Sequence, residues 1–241
     1  MVKLLDAPAE LLRRRQFTLF DDFFGFDAVE RWAATADVGG AQDIDADGVG
    51  GVLSIATGST DNDEAYVESL GEQFLFAADK PIELEARVKF VEANTDDANV
   101  LVGLMDAPGA DSLVDDGGGP KASYSGAVFY KVDGGTKWIV ETSLGGAQTT
   151  TTTDVTAGGS SYQTLRIVAQ PVSATRIEVS FFIDPLGGSN LVQCKDADGR
   201  PIKHVITLGS PTEMAIALGV KAGGGNAETL LVDYIACSQL R

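Results

Sequence analysis

From about residue 50 onward, apolar and polar positions along the chain alternate with period two. In Ile82-Glu83-Leu84-Glu85-Ala86-Arg87-Val88-Lys89-Phe90 every second side chain is apolar and the others are mostly charged, the pattern of a strand with one buried face. Ile177, Val179, Phe181 and Ile183 repeat it, as do Met214, Ile216, Leu218 and Val220. Shorter runs lie at 52–56, 65–68, 98–105, 125–132, 137–142, 163–169, 202–208 and 229–237. Turn chemistry separates them. Asp133-Gly134-Gly135 predicts a hairpin between Ala127–Val132 and Lys137–Glu141, and Gly145-Gly146, Gly158-Gly159, Gly187-Gly188 and Gly223-Gly224-Gly225 mark further turns. Pro185 and Pro201 fall at strand ends, where a missing N–H costs little. Thr149–Thr153, preceded by Gln148, reads as an edge strand whose hydroxyls keep its surface polar.

About a dozen short strands with no helix-length segment between them predict an all-β fold: two packed sheets, each burying one face, in a jelly roll. The 241 residues fit one such sandwich, and a chain of this size buries about 70–75% of its unfolded surface without covalent staples. Two Cys allow at most one bridge; Cys194 and Cys237 read as small apolar fillers.

Composition narrows the function. Thirty-five acidic against 18 basic side chains give a formal charge of −17, and no Lys/Arg-rich run offsets it, which argues against nucleic acid and anionic lipid as partners. His204 is the only histidine, so no His-rich zinc site exists; it reads as an ordinary strand residue. No apolar run reaches the length of a membrane span, and the opening Met1-Val2-Lys3-Leu4-Leu5-Asp6 is broken by charge before a signal-peptide core could form. Synthesis and retention on the cytoplasmic side of the producing cell is the expectation.

The charge is uneven. Residues 1–20 carry Lys3, Arg13, Arg14 and Arg15 against Asp6 and Glu10, a local charge of +2 that leaves −19 for residues 21–241. The division predicted is an N-terminal arm over 1–20, with a short helix beginning near Ala7-Pro8, and a sandwich over 21–241. Arg13, Arg14 and Arg15, with Phe20, Phe23 and Phe24 at the arm's end, are candidate partner contacts.

The run Gly51-Val52-Leu53-Ser54-Ile55 leading into Thr57-Gly58-Ser59-Thr60-Asp61-Asn62-Asp63-Glu64-Ala65-Tyr66-Val67 resembles concanavalin A-like (LamG-like) lectin/glucanase jelly rolls. More narrowly, the order of Glu85–Phe90, Asp97–Ala107, Gly126–Trp138, Tyr162–Ile167, Glu178–Asp184, Gly219–Gly224 and Leu230–Arg241 resembles virion structural proteins of tailed bacteriophages. Where an Asp-Gly turn would usually follow Ile183-Asp184, this chain has Pro185-Leu186-Gly187-Gly188. The resemblance implies a non-enzymatic part, a capsid decoration or cement protein on the phage head. Its partners would be the major capsid protein or other virion subunits, it would be a homo-oligomer, and its location the virion after synthesis in the host cytoplasm. A carbohydrate-binding surface module or adhesin is the alternative, since one sandwich hosts lectins, glycosidases and structural parts.

Site chemistry is sparse. The glucanases of this fold resemble a Glu-x-Asp-x-x-Glu strand, and no such strand occurs here; Glu83 and Glu85 share a strand face and read as alternating surface charge. Asp43, Asp45 and Asp47 precede Gly48 at alternate positions, the opening half of an oxygen-rich Ca²⁺ loop, but Ser54 stands where the bidentate Glu belongs. Asp61–Glu64 and Asp196–Gly199 are shorter versions. Trp138 and Tyr130 are the candidate sugar platforms; alternation with Lys137 leaves open whether Trp138 faces core or surface. Gly117-Gly118-Gly119-Pro120 lacks the context of a phosphate cradle. The only cofactor considered is Ca²⁺.

Overall fold

The structure, a computed structural model, describes residues 15–94, 96–159 and 161–241. None of these is helical. In chain order the strands are β1 (Gln16–Asp21), β2 (Trp32–Ala36), β3 (Ala41–Ile44), β4 (Leu53–Ala56), β5 (Glu64–Ser69), β6 (Phe74–Phe76), β7 (Ile82–Val91), β8 (Ala98–Met105), β9 (Leu113–Val114) and β10 (Gly119–Pro120). They continue as β11 (Gly126–Lys131), β12 (Lys137–Leu144), β13 (Ala147–Thr156), β14 (Gln163–Ser173), β15 (Arg176–Asp184), β16 (Val192–Gln193), β17 (Lys203–Thr207), β18 (Thr212–Ala222) and β19 (Thr229–Leu240).

One sheet of nine strands runs β16-β15-β14-β7-β19-β4-β3, with β1 also on β19 and β17 also on β15; one of eight runs β13-β12-β11-β8-β18-β5-β2, with β6 also on β18. Every pairing is antiparallel, and β9 and β10 form a separate small hairpin. The anticipated hairpin is present as β11 on β12, with Gly134 at φ +68° in its turn. The Thr run lies in β13, at the end of the eight-stranded sheet.

Alternation dictates the core. Leu84, Ala86 and Val88 of β7, Ile177, Val179, Phe181 and Ile183 of β15, and Ile216, Leu218 and Val220 of β18 face inward and are buried in one cluster between the sheets. Each large apolar side chain so buried contributes about 1.5–3 kcal/mol. Trp138 is at the centre, edge-on to Phe90 and Phe129, and its indole N–H donates to Gln163 Oε1 at 2.7 Å. Lys131 closes one end: its buried Nζ donates to Glu92 Oε1 (2.7 Å) and to the carbonyls of Asp96 and Ala98 (both 2.9 Å).

Of the segment expected as an arm, residues 1–14 lie outside the described residues, including the short helix, Arg13 and Arg14. Residues 16–20 are part of the sandwich: β1 pairs with β19 in register from Gln16↔Leu240 to Asp21↔Ile235. Phe17 and Leu19 pack on the core, so the boundary at residue 20 falls inside a strand.

Candidate functional site

The outer face of the eight-stranded sheet is the most heavily built surface. A strand face turned to water should alternate with buried residues, yet every residue of β8 and β11 is buried. The cause is the segment 106–125, which carries β9 and β10 across that face and encloses a second apolar cluster of Tyr66, Leu101, Met105, Leu113, Tyr124, Val128, Tyr130 and Ala217. The Leu113 N–H donates to the Tyr66 hydroxyl (3.0 Å), and the Asp111 N–H to Glu64 Oε1 (2.7 Å). Under the segment, Lys221 donates to Asp115 Oδ1 (2.5 Å), Glu64 Oε2 (3.2 Å) and the Leu113 carbonyl (3.2 Å). Burial pulls the Lys221 ammonium down, but Asp115 and Glu64 outweigh it and hold its pKa above the ordinary value.

A further carboxylate of this face, Glu141, is already in use, whereas Glu68 of β5 keeps one buried oxygen without a hydrogen-bond partner. Glu141 is buried; its Oε1 accepts from the Tyr124 hydroxyl (3.0 Å) and Gln148 Nε2 (2.9 Å), and its Oε2 from the Thr150 hydroxyl. Burial, reinforced by Glu141, pushes the Tyr124 hydroxyl far up, so it acts only as a neutral donor. An acid–base pair for glycoside hydrolysis needs two carboxyl groups about 5–10 Å apart with access for a sugar. Glu141, with both oxygens hydrogen-bonded, offers no free carboxylate for such a pair.

The outer face of the nine-stranded sheet is open and charged. Arg166 pairs with both Glu83 and Glu85, and the Tyr234 hydroxyl donates to Glu85 Oε1 (2.7 Å). Arg87 donates to Asp233 (2.7 Å) and to the Gly187 carbonyl (2.6 Å) while its guanidinium stacks on Tyr162, 4.3 Å from the ring centroid. Glu83 and Glu85 lie on a strand face of alternating charge, and the structure adds their shared ion pairing with Arg166. On the side of the eight-stranded sheet, beside β6 and the start of β18, a cleft of about 430 Å³ is lined by Glu72, Asp106 and Glu213; Glu72 Oε1 caps the Ala107 N–H and Asp106 Oδ1 the Ser125 N–H.

The remaining candidates separate. Trp138 is a core residue rather than a sugar platform: it occupies an inward position of β12 and is fully buried, held by Gln163. Tyr130 is on the outer face as a sugar platform requires, but Gly119 of β10 lies against its ring and only 6% of the residue is exposed. Phe23 is likewise no surface contact; it is buried on Trp32, with ring centroids 5.7 Å apart. Phe20, stacked on Tyr234, and Phe24 are exposed, as is Arg15. Asp43 lies in β3, across from Ser54 of β4, and Asp45 and Asp47 lie in the β3–β4 connection; Asp43 Oδ1 accepts the Ile44 N–H (2.7 Å) and Asp45 Oδ1 the Asp47 N–H (3.1 Å). Among the described residues no group of three or more His, Cys, Asp or Glu side chains is arranged to hold a metal ion. The shorter versions cap their own turns, Asp63 onto Thr60 and Asp196 onto Asp198 and Arg200. Cys194 and Cys237 are free and buried, and burial pushes the Cys194 thiol up to about 12.

Two buried groups carry more than the sequence disclosed. His204 bridges the sheets, with Nδ1 3.2 Å from Thr142 Oγ1 and Nε2 3.0 Å from Thr151 Oγ1; burial lowers its pKa to about 4. Glu228, fully buried beside Lys131's end of the sandwich, accepts the Ala93 N–H (3.2 Å to each oxygen); burial raises its pKa to about 7.

Structural comparison places this geometry. Peanut lectin is 8% identical, with a TM-score of 0.60 over 93% of this chain and 97% of the lectin. An endo-1,3-β-glucanase from Streptomyces sioyaensis is 14% identical, with a TM-score of 0.60 over 94% of this chain and 97% of the enzyme. The carbohydrate recognition domain of Emp47p is 12% identical, with a TM-score of 0.57 over 91% of this chain and 93% of that domain. The fold is the concanavalin A-like lectin and glucanase sandwich. No family profile matches the chain, and no curated protein sequence matches it significantly. At these identities the likeness extends to the fold, and lectins and enzymes both share it.

Proposed function

We propose that the chain is a non-catalytic structural protein, a decoration or cement subunit on the outer surface of a tailed-bacteriophage head, in contact with the major capsid protein. The observation that carries the non-catalytic part is the closure of the outer face by the chain's own residues 106–125, with both oxygens of Glu141 engaged beneath. Placement on a head rests on the sequence resemblance and on the charge asymmetry. An acidic body stays soluble at high copy number and avoids nucleic acid, while the basic N-terminal stretch and the exposed Phe20 and Phe24 offer the contact. No cofactor is part of this reading.

The test is decoration in vitro. Purified chain is mixed with phage heads assembled without it and pelleted; saturable binding at a fixed copy number per head is expected, lost when residues 1–14 are removed. Binding that never saturates, or none, overturns the reading.

A carbohydrate-binding surface module is the second reading, favoured by the lectin and carbohydrate-recognition-domain neighbours. Its sugar would meet the open face with Phe20, Tyr162 and Tyr234, because the opposite face is covered. A glycan array separates the two, staying silent for a head protein.

A further inference from the structure

We propose that the free edge of β13 is the docking site for a second copy of this chain, which adds antiparallel to it about a two-fold axis and joins two eight-stranded sheets into one. This does not rest on the head-protein reading. A strand edge presents unpaired backbone N–H and C=O groups, and an antiparallel strand from another copy satisfies them.

Three observations single out β13. Among the described residues it is the longest strand at a sheet end: ten residues, against six in β1, five in β2 and in β17, four in β3, three in β6 and two in β16. It is paired along one side by β12, and on its other side the backbone bond between the Asp154 N–H and the Lys195 carbonyl (2.9 Å) occupies only the far end. β2, at the opposite end of the same sheet, already has Gln42 donating to its Thr35 carbonyl (2.8 Å).

Charge chooses the partner. In a chain of net charge −17, most pairs of surfaces on two copies repel. The stretch Thr142–Thr153 has no charged residue; of the carboxylates that bound it, Glu141 is buried under Gln148 and Thr150, and Asp154 is exposed at the far end of β13 beside Lys195. A two-fold pair centred on Thr150 or Thr151 sets Asp154 of each copy against Gly146 or Gln148 of the other, so these edges meet without opposing like charges. Thr149–Thr153 supplies β-branched residues on both sides of such a pair, and cross-strand Thr–Thr contacts are favourable. The inward side is anchored, since Thr151 meets His204 and the Thr153 hydroxyl donates to the Trp138 carbonyl (2.8 Å), which fixes the face that an added strand must match.

Sedimentation of the full chain gives the test. The wild type is expected at twice the 25.2 kDa chain mass. Thr149 and Thr152 are exposed, so Thr149→Lys with Thr152→Lys should weaken dimerisation by at least about tenfold, and so should Thr149→Glu with Thr152→Glu. Mixing the two variants should restore the dimer. A wild type that is monomeric at high micromolar concentration, variants that dimerise as tightly as wild type, or a mixture that stays monomeric while each variant retains its circular dichroism spectrum would each overturn the proposal.

Discussion

Gly219 of β18 lies directly across from Tyr66 of β5, and the tyrosine ring covers the space where a side chain at 219 would stand. That arrangement lets Tyr66 lie flat on the sheet and reach the Leu113 N–H with its hydroxyl, which ties down the covering segment. Gly219→Ala should force the ring aside and cost about 1–3 kcal/mol in urea denaturation. Gly225→Ala, at a position with open space around it, should change stability far less.

Lys221 has a matching role in charge. With a side chain 2% exposed, it faces Glu64, which is 8% exposed. Removing one partner of a buried pair strands the other, so Lys221→Ala is expected to cost about 3–5 kcal/mol. Lys221→Met combined with Glu64→Gln should recover most of that loss. Asp115 makes the shorter contact to the same ammonium from a side chain that is 61% exposed, so Asp115→Asn, which keeps an oxygen acceptor, should destabilise measurably but less than Lys221→Ala.

His204 and Glu228 bias stability against pH in opposite directions. The folded His204 has a pKa lowered to about 4 from 6.5, so its contribution is present above about pH 6.5 and is lost as pH falls toward 4. Thermal melts should show His204→Gln less sensitive than wild type across that window.

For Glu228 the folded pKa is raised to about 7 from 4.5. The favourable protonated state is fully populated below about pH 4.5, and its advantage is lost as pH rises through 7. Glu228→Gln keeps an acceptor for the Ala93 N–H and should be more stable than wild type at pH 8, with the difference vanishing near pH 4. An equal difference at both pH values would contradict the assignment.

Trp138→Ala should destabilise the sandwich by about 3–5 kcal/mol through the cavity it leaves. A surface platform would instead show little stability loss.

Much of this architecture was legible because burial on one face imposes alternation. Ile82–Phe90, Ile177–Ile183 and Met214–Val220 all became inward-facing strands, and Thr149–Thr153 became an edge. β1 was harder to see: Phe17 and Leu19 alternate with Gln16 and Thr18, but the adjoining Arg13–Arg15 drew that stretch into a basic arm. The cover over the eight-stranded sheet left only an indirect trace, the nearly unbroken apolar run Val100–Met105, which marks a strand buried on both faces. Within 106–125 the residues that plug the face, Leu113 and Tyr124, follow no period. The orientation of Trp138 depends on Gln163 in another strand, and Glu141's partners Tyr124, Gln148 and Thr150 come from separate positions, so neither could be read from local pattern.

The most direct test of the central claim is a cryo-electron-microscopy reconstruction of phage particles made by cells producing the chain. The expected result is density on the outside of the head shell into which the sandwich of residues 15–241 fits at a repeating position. Particles lacking that density, with the chain recovered instead in the soluble fraction bound to a glycan, would contradict it.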